Sequence, residues 1–188
     1  ARPRALHLPG FGLGMVSDDI FELQASPRRL AIVGGGYVAV EFAGLLRALG
    51  CAVDVFAHER LLASFDVEVV QALREQMQEQ GIAVHLHSVV QAARRTGEGI
   101  VLDDAAAGTR GPYDALLWAV GRVPNTERLG LAEIGVALDH EGHVLTDAWQ
   151  GTNIGGVHAV GDVTGRHALT PVAVAAAGHG IALPPALA

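Results

Sequence analysis

Cysteine is almost missing from this 188-residue chain: Cys51 stands alone, so no internal disulfide and no two-cysteine redox pair can form within the sequence. Basic residues are scarce as well, 13 against 20 acidic ones. The net charge of −7 argues against a nucleic-acid or anionic-membrane partner. No apolar run approaches the ~20 residues that a membrane-spanning helix needs, and no signal peptide opens the chain, so a cytoplasmic location is expected. No Gly-x-Ser-x-Gly elbow and no pair of catalytic carboxylates stands out. Apolar residues, in contrast, are plentiful. Half of the chain is hydrophobic, which marks a packed globular protein with room for one good core, or for one domain and a piece of another.

The most informative stretch is Leu30-Ala-Ile-Val-Gly-Gly-Gly-Tyr-Val-Ala-Val-Glu41. Four apolar residues fit a buried parallel strand, and a helical pattern follows through Leu45, Leu46 and Leu49. Gly34 permits a tight turn between them. Gly36 lets backbone N–H groups approach a pyrophosphate, and Ala39 lets the helix pack close on the strand. Tyr37 and Val38 open the helix, whose first N–H groups and partial positive charge suit an anion. A second strand, Ala52–Ala57, follows Gly50. Strand, glycine turn, helix and strand together predict a dinucleotide-binding βαβ unit. Cys51, at the start of the second strand, reads as a small buried hydrophobe.

The rest of the chain divides by pattern. Ala1–Gly10 carries two prolines and reads as a connector, and Ser17-Asp18-Asp19 is expected to cap a short helix through Ile20 and Leu23. A second helix starts at Phe65-Asp66, shows Val69, Val70, Leu73 and Met77 on one face, and stops at Gly81. Short alternations at Val84-x-Leu86, Val89-Val90 and Ile100–Leu102 fit a small antiparallel excursion. Tyr113–Val120 is a further buried strand, with Trp118 in the core. Beyond Pro124 the chain turns loop-rich, with a strand expected at Val157–Asp162 and a helix at Thr170–Gly178, Thr170 as its N-cap. The expected class is α/β: a Rossmann-like NAD(P)H-binding domain with an antiparallel meander, plus part of a second domain.

Read in order, Gly34–Glu41, Ser64-Phe-Asp66, Trp118-Ala-Val-Gly-Arg-Val-Pro-Asn-Thr126, Ala159-Val-Gly-Asp162 and Leu169-Thr-Pro-Val-Ala173 resemble the glutathione reductase class of flavin-dependent pyridine nucleotide–disulfide oxidoreductases. The resemblance extends to about Ala177 and lies closer to glutathione reductase, or its NADH-using glutathione amide reductase relative, than to dihydrolipoamide dehydrogenase. It implies that residues 1–25 end a first FAD segment, residues 26–122 form the nicotinamide domain, and residues 123–188 are a returning, incomplete FAD segment. It also implies a homodimer for the intact enzyme. The redox cysteines, the lysine near the flavin and the interface domain with its His-Glu pair are not in this chain, so no catalytic residue is assigned. The tail from Gly178 departs from the family's helix, where an arginine normally follows the glycine; a cloning boundary and an altered reading frame both remain open.

The same resemblance assigns site residues. Tyr37 matches the tyrosine that covers the empty nicotinamide pocket, and Glu41 the glutamate that pairs with the absent lysine. Asp162 matches the aspartate on the FAD ribityl chain, and Thr170 lies near the flavin's pyrimidine edge. Because half of the flavin site is missing, this chain is not expected to retain FAD. Gly121 would let the strand before it pass beneath the cofactor. Cofactor choice belongs to Ala57-His58-Glu59-Arg60, in a loop that reads as one residue shorter than in glutathione reductases. Those enzymes carry two arginines there; here His58 stands near the first and nothing near the second. Arg60 can reach toward a 2′-phosphate, whereas Glu59 can bind ribose hydroxyls and repel one. NADH is slightly favoured and NADPH stays open. Asp54, although spaced twenty residues from Gly34, reads as a solvent-facing strand residue. His85-x-His87 reads as a solvated strand face, His140 and His143 receive no role, and no metal site is assigned. A stand-alone nucleotide-binding module without catalysis is the alternative reading, and a dihydrolipoamide dehydrogenase-like flavoprotein the third.

Overall fold

Alternation along one strand divides the core. Leu30 and Ile32 point to one side of the strand, Ala31 and Val33 to the other, and all four are buried. Such a strand needs cover on both faces, and full burial of Leu30 or Ile32 contributes about 1.5–3 kcal/mol each. The computed structural model describes residues 1–178. It divides into two compact units, Pro3–Gly121 and Arg122 onward with Ala1–Arg2. The chain passes into the first unit within a two-residue strand, β1 (Arg2–Pro3).

The Pro3–Gly121 unit is α/β. Its order is β2 (Arg29–Val33), α1 (Tyr37–Ala48), β3 (Ala52–Phe56), α2 (Val67–Glu79), β4 (Ala83–His85), β5 (Val90–Thr96), β6 (Gly99–Asp104), β7 (Gly108–Tyr113) and β8 (Ala115–Trp118). A parallel sheet runs β4-β3-β2-β8, with Ile32 opposite Val55 on one side and Leu117 on the other. Helices α1 and α2 cover one face through Ala39, Ala43, Leu46, Val70 and Met77. The antiparallel sheet β5-β6-β7 lies on the other, where Ile100, Leu102 and Tyr113 meet Phe56, Leu116 and Trp118.

Local sequence explains the helix ends. Asp66 accepts hydrogen bonds from the Glu68 and Val69 N–H groups at 2.9 and 3.1 Å and so caps α2. Gly81, at φ 81°, ends it: the Gly81 N–H bonds Gln78 and the Ile82 N–H bonds Met77, a Schellman closure. In the β5-β6-β7 sheet Asp104 is buried. Burial pushes its carboxyl up, but hydrogen bonds from the Ser88 hydroxyl and the Ala106 and Ala107 N–H groups, with Arg110 nearby, hold it below its ordinary value.

Five expectations are corrected here. Val84 belongs to the parallel strand β4, not to the antiparallel excursion, because Val84 pairs with Val55. Val69 is exposed, so the buried stripe of α2 is Val70, Leu73 and Met77. Asp19–Glu22 is a single 3-10 turn in which the Asp19 carboxylate accepts the Val16 N–H at 2.8 Å, and the Asp18 side chain caps nothing. The stretch Val157–Asp162 forms no strand; it makes one isolated bridge, Gly151 to His158, and then a 3-10 turn at Gly161–Thr164. The helix α3 (Thr170–Gly178) takes its first bond from the Ala173 N–H to the Leu169 carbonyl, which puts the cap at Leu169.

The residues read as a connector, Ala1–Gly10, are divided between the two units at Arg2–Pro3, and the chain just beyond them packs on β8. Met15 bonds alongside β8, accepting from the Trp118 N–H and donating to Leu116, both at 2.8 Å, and Phe11 stacks on Trp118. The second unit begins with β9 (Arg122–Val123), and among its described residues it is mostly turns, with α3 its only long helix. The tail departure anticipated after Gly178 lies outside the described residues.

Candidate functional site at the carboxyl edge of the parallel sheet

The two glycines that flank Gly35 do different things. Gly34 follows β2 at φ 139°, and its N–H donates to the Phe56 carbonyl at 2.8 Å. A Cβ built there would sit 2.1 Å from the Ala119 carbonyl oxygen, so Gly34 is where β2 and β8 pass too closely for any side chain. Gly36 is extended, φ −83° and ψ −179°, which any residue adopts, and a Cβ built on it meets nothing within 4 Å. The first needs glycine for folding. The second leaves open space that the fold does not require.

That space lies at the amino end of α1. Gly36 is the N-cap and supplies no side-chain hydrogen bond. The first bond of the helix runs from the Val40 N–H to the Gly36 carbonyl at 3.2 Å. The N–H groups of Tyr37, Val38 and Ala39 therefore have no carbonyl one turn back, and they carry the positive end of the helix dipole. Ala39 is fully buried and brings α1 close to the sheet; Val38 is half-buried against the same core. Tyr37 is 54% exposed, and Glu41, one turn on, is exposed on the same face. Gly121, three residues after β8 ends, has φ 106°, and its carbonyl accepts the Arg4 N–H at 2.9 Å.

The loop after β3 is tied to this turn. The Ala57 N–H bonds the His85 carbonyl, the Ser88 N–H bonds Ala57, and Leu61 is buried. The Leu62 N–H donates to the Gly35 carbonyl at 2.7 Å. The Arg60 carbonyl oxygen lies 3.0 Å from where a Gly35 side chain would begin. His58 and Glu59 turn outward, each with its side chain 75% exposed, Nδ1 and Oε1 4.0 Å apart. The Arg60 guanidinium turns onto the carbonyls of Ala63 and, at 3.5 Å, Phe65.

Asp54 is not the solvent-facing residue that strand alternation suggests. It is half-buried and accepts the Tyr113 hydroxyl at 2.6 Å, with His85 Nε2 3.7 Å away. Burial, the hydrogen bond to Asp54 and its charge push the Tyr113 phenol far up. His85 likewise leaves the solvated face expected of it: its ring stacks on Phe56 at 4.7 Å, and its Nε2 is buried without a hydrogen-bond partner. His87 lies past the end of β4 at φ 56°, so the two imidazoles do not share a strand face. Cys51 is buried, and burial pushes its thiol up, in keeping with a packing role. Trp118 is core, its Nε1 donating to the Phe11 carbonyl at 2.8 Å.

Of the twelve anticipated site residues, ten lie in Pro3–Gly121; Asp162 and Thr170 lie in the other unit. There Asp162 is half-buried in the 3-10 turn, and Thr170 is exposed at the start of α3. Gly161, at φ 77°, allows that turn against the helix, since a Cβ on it would stand 3.1 Å from the Ala173 Cβ. Sequence reading passed over one cluster in this unit. Asp139, Glu141 and His143 bring ligand-type atoms within 4.8 Å of one another, a grouping signalled by their alternate spacing. Both oxygens of Asp139 are already engaged, Oδ1 by the Glu141 and His143 N–H groups and Oδ2 by His143 Nδ1 at 3.0 Å. The His143 backbone bond leads in holding the Asp139 carboxyl below its usual range.

Residues 1–177 match the family described as pyridine nucleotide-disulphide oxidoreductase. The chain is 39% identical over 175 residues to a glutathione reductase of Burkholderia cepacia, covering 93% of this chain and 39% of that protein. It is 38% identical over 172 residues to a glutathione reductase of Schizosaccharomyces pombe, covering 90% and 37%. Among solved structures, the HOCl-induced flavoprotein disulfide reductase RclA from Escherichia coli superposes with a TM-score of 0.87 at 26% identity, over 94% of this chain and 41% of that one. LpdA from Mycobacterium tuberculosis does so with a TM-score of 0.81 at 28% identity, over 89% and 36%. The chain thus spans about two-fifths of the length of these relatives.

Proposed function

The chain belongs to the pyridine nucleotide-disulphide oxidoreductase family, and we propose that its Pro3–Gly121 unit binds a nicotinamide dinucleotide as part of a flavin-dependent disulfide reductase resembling glutathione reductase. The observation that carries this reading is the open amino end of α1, uncapped by any side chain and placed where the parallel strands end. Open α/β sheets bind ligands there. Two negative phosphates meet three free N–H donors and the helix dipole, and Gly36 leaves them room to approach.

When bound, the nicotinamide would supply a hydride, two electrons with a proton, for the flavin-dependent reduction of a disulfide by the whole enzyme. This chain's residues bind and orient. Tyr37, half exposed at the helix start, covers the nicotinamide pocket and moves aside when the ring arrives. Glu41 stays a solvated carboxylate here. Asp162 and Thr170 would hold part of FAD, a carboxylate for its hydroxyls and a helix start for its ring edge, and they fit that part because their elements pack together through Gly161. The intact enzyme is proposed to act as a cytoplasmic homodimer on glutathione disulfide or a close relative, with residues 26–122 as its nicotinamide domain. The chain by itself is proposed not to complete the reaction. Among the described residues no helix is long and apolar enough to cross a membrane.

For the coenzyme, NADH is proposed over NADPH. Glu59 is the outward acidic side chain after β3, suited to ribose hydroxyls and repulsive to a 2′-phosphate. Calorimetric titration of the purified chain tests both levels. NADH is expected to bind at least as tightly as NADPH, and Glu59→Gln to narrow the gap. Tenfold tighter NADPH binding, about 1.4 kcal/mol, would reverse the coenzyme assignment, and no binding of either would overturn the reading itself.

A further inference from the structure

Arg60 is the one cation in the stretch Ala57–Asp66, and from sequence it is a candidate ligand for a 2′-phosphate. The structure gives its charge another use. Its guanidinium donates to the carbonyls of Ala63 and Phe65, while its own main-chain carbonyl rests against Gly35. Between those contacts Leu62 adopts φ 45°, a left-handed conformation that a leucine avoids unless held. Its N–H bonds the Gly35 carbonyl at 2.7 Å, and the Phe65 N–H closes back on the Leu62 carbonyl at 2.8 Å.

We infer that Arg60 is a positioning residue: it staples the ribose-side loop to the glycine turn and does not serve as a phosphate ligand. This rests on the dinucleotide reading for its consequence, but the staple itself exists without a nucleotide. An arginine with its donors on two carbonyls and its backbone against Gly35 fixes where Leu62 can place its N–H. The loop and the glycine turn then move as one piece, presenting Glu59 outward and Gly36 toward the diphosphate. Losing the staple therefore harms NADH and NADPH alike, whereas losing a phosphate ligand harms only NADPH.

The test uses Arg60→Ala, Arg60→Met, which keeps the apolar stem, and Arg60→Lys, which keeps one donor group. Amide hydrogen exchange at Leu62 and Phe65 is measured without nucleotide, and NADH and NADPH are titrated into each variant. Exchange at both amides is expected to quicken by about tenfold or more in the alanine and methionine variants, with partial restoration by lysine. Both coenzymes are expected to weaken by factors that agree within about threefold. A selective loss of NADPH binding with unchanged exchange would overturn the inference. If the unaltered chain binds neither coenzyme, the function proposed above fails, and the exchange data alone then decide: lost protection upholds the staple and retained protection refutes it.

Discussion

Replacing Gly36 by alanine is expected to leave the fold standing and to raise the dissociation constant for NADH by about tenfold or more. The backbone at Gly36 is extended and strain-free for any residue, and the added methyl meets no atom within 4 Å. Two small effects on stability oppose each other. Alanine is a poorer N-cap than glycine, while it removes conformational freedom from the unfolded chain, worth about 0.4–1 kcal/mol in favour of folding. The net change stays within about 1 kcal/mol. Binding has no such compensation. A methyl in front of the first-turn N–H groups keeps a phosphate oxygen out of hydrogen-bond range, and each bond to a charged group contributes about 1.5–3 kcal/mol. Calorimetry for affinity and thermal melting for stability, on the same sample, separate the two. Unchanged NADH affinity would show that the space before α1 is not where the diphosphate lies.

Gly34→Ala is expected to do the reverse and damage the fold itself. Its φ of 139° strains any L side chain, and the new Cβ would stand 2.1 Å from the Ala119 carbonyl oxygen, well inside contact distance. That oxygen belongs to backbone held by the Ala119 N–H bond to the Val33 carbonyl at 2.8 Å, so it cannot swing away as a flexible side chain would. Backbone strain of about 1–3 kcal/mol and overpacking of similar size add to about 2–6 kcal/mol, a large share of a typical domain's stability. Urea unfolding followed by fluorescence of Trp118, which packs in the same core, reads this loss directly. A midpoint equal to that of the unaltered chain would mean β2 and β8 are not drawn together at Gly34.

The βαβ unit could be read from the sequence because its signals are local. The apolar run Leu30–Val33, the glycine turn and the helical pattern after it all sit within one short stretch, although of Leu45, Leu46 and Leu49 only Leu46 is buried and the helix packs through Ala39, Ala43 and Leu46. What failed depends on partners far along the chain. Three residues, Ala83–His85, alternate in the same way in a parallel or an antiparallel ladder, and only pairing with β3 decides between them. Asp54 alternates outward, yet Tyr113, 59 residues later, folds over it and donates a hydrogen bond. Arg60 differs: its partners Ala63 and Phe65 are near in sequence, but the loop that turns their carbonyls toward it has no periodic pattern to read. The short-range motif marked the glycine turn and the open helix end; contacts outside it determine which side chains around that turn stay exposed.

Amide resonances of the unaltered chain, followed by NMR during titration with NADH and separately with ADP, address the helix end itself. The account predicts that the Tyr37, Val38 and Ala39 amides shift with both ligands along one saturation curve, because both carry the diphosphate. Those three amides staying still while resonances elsewhere saturate would contradict it.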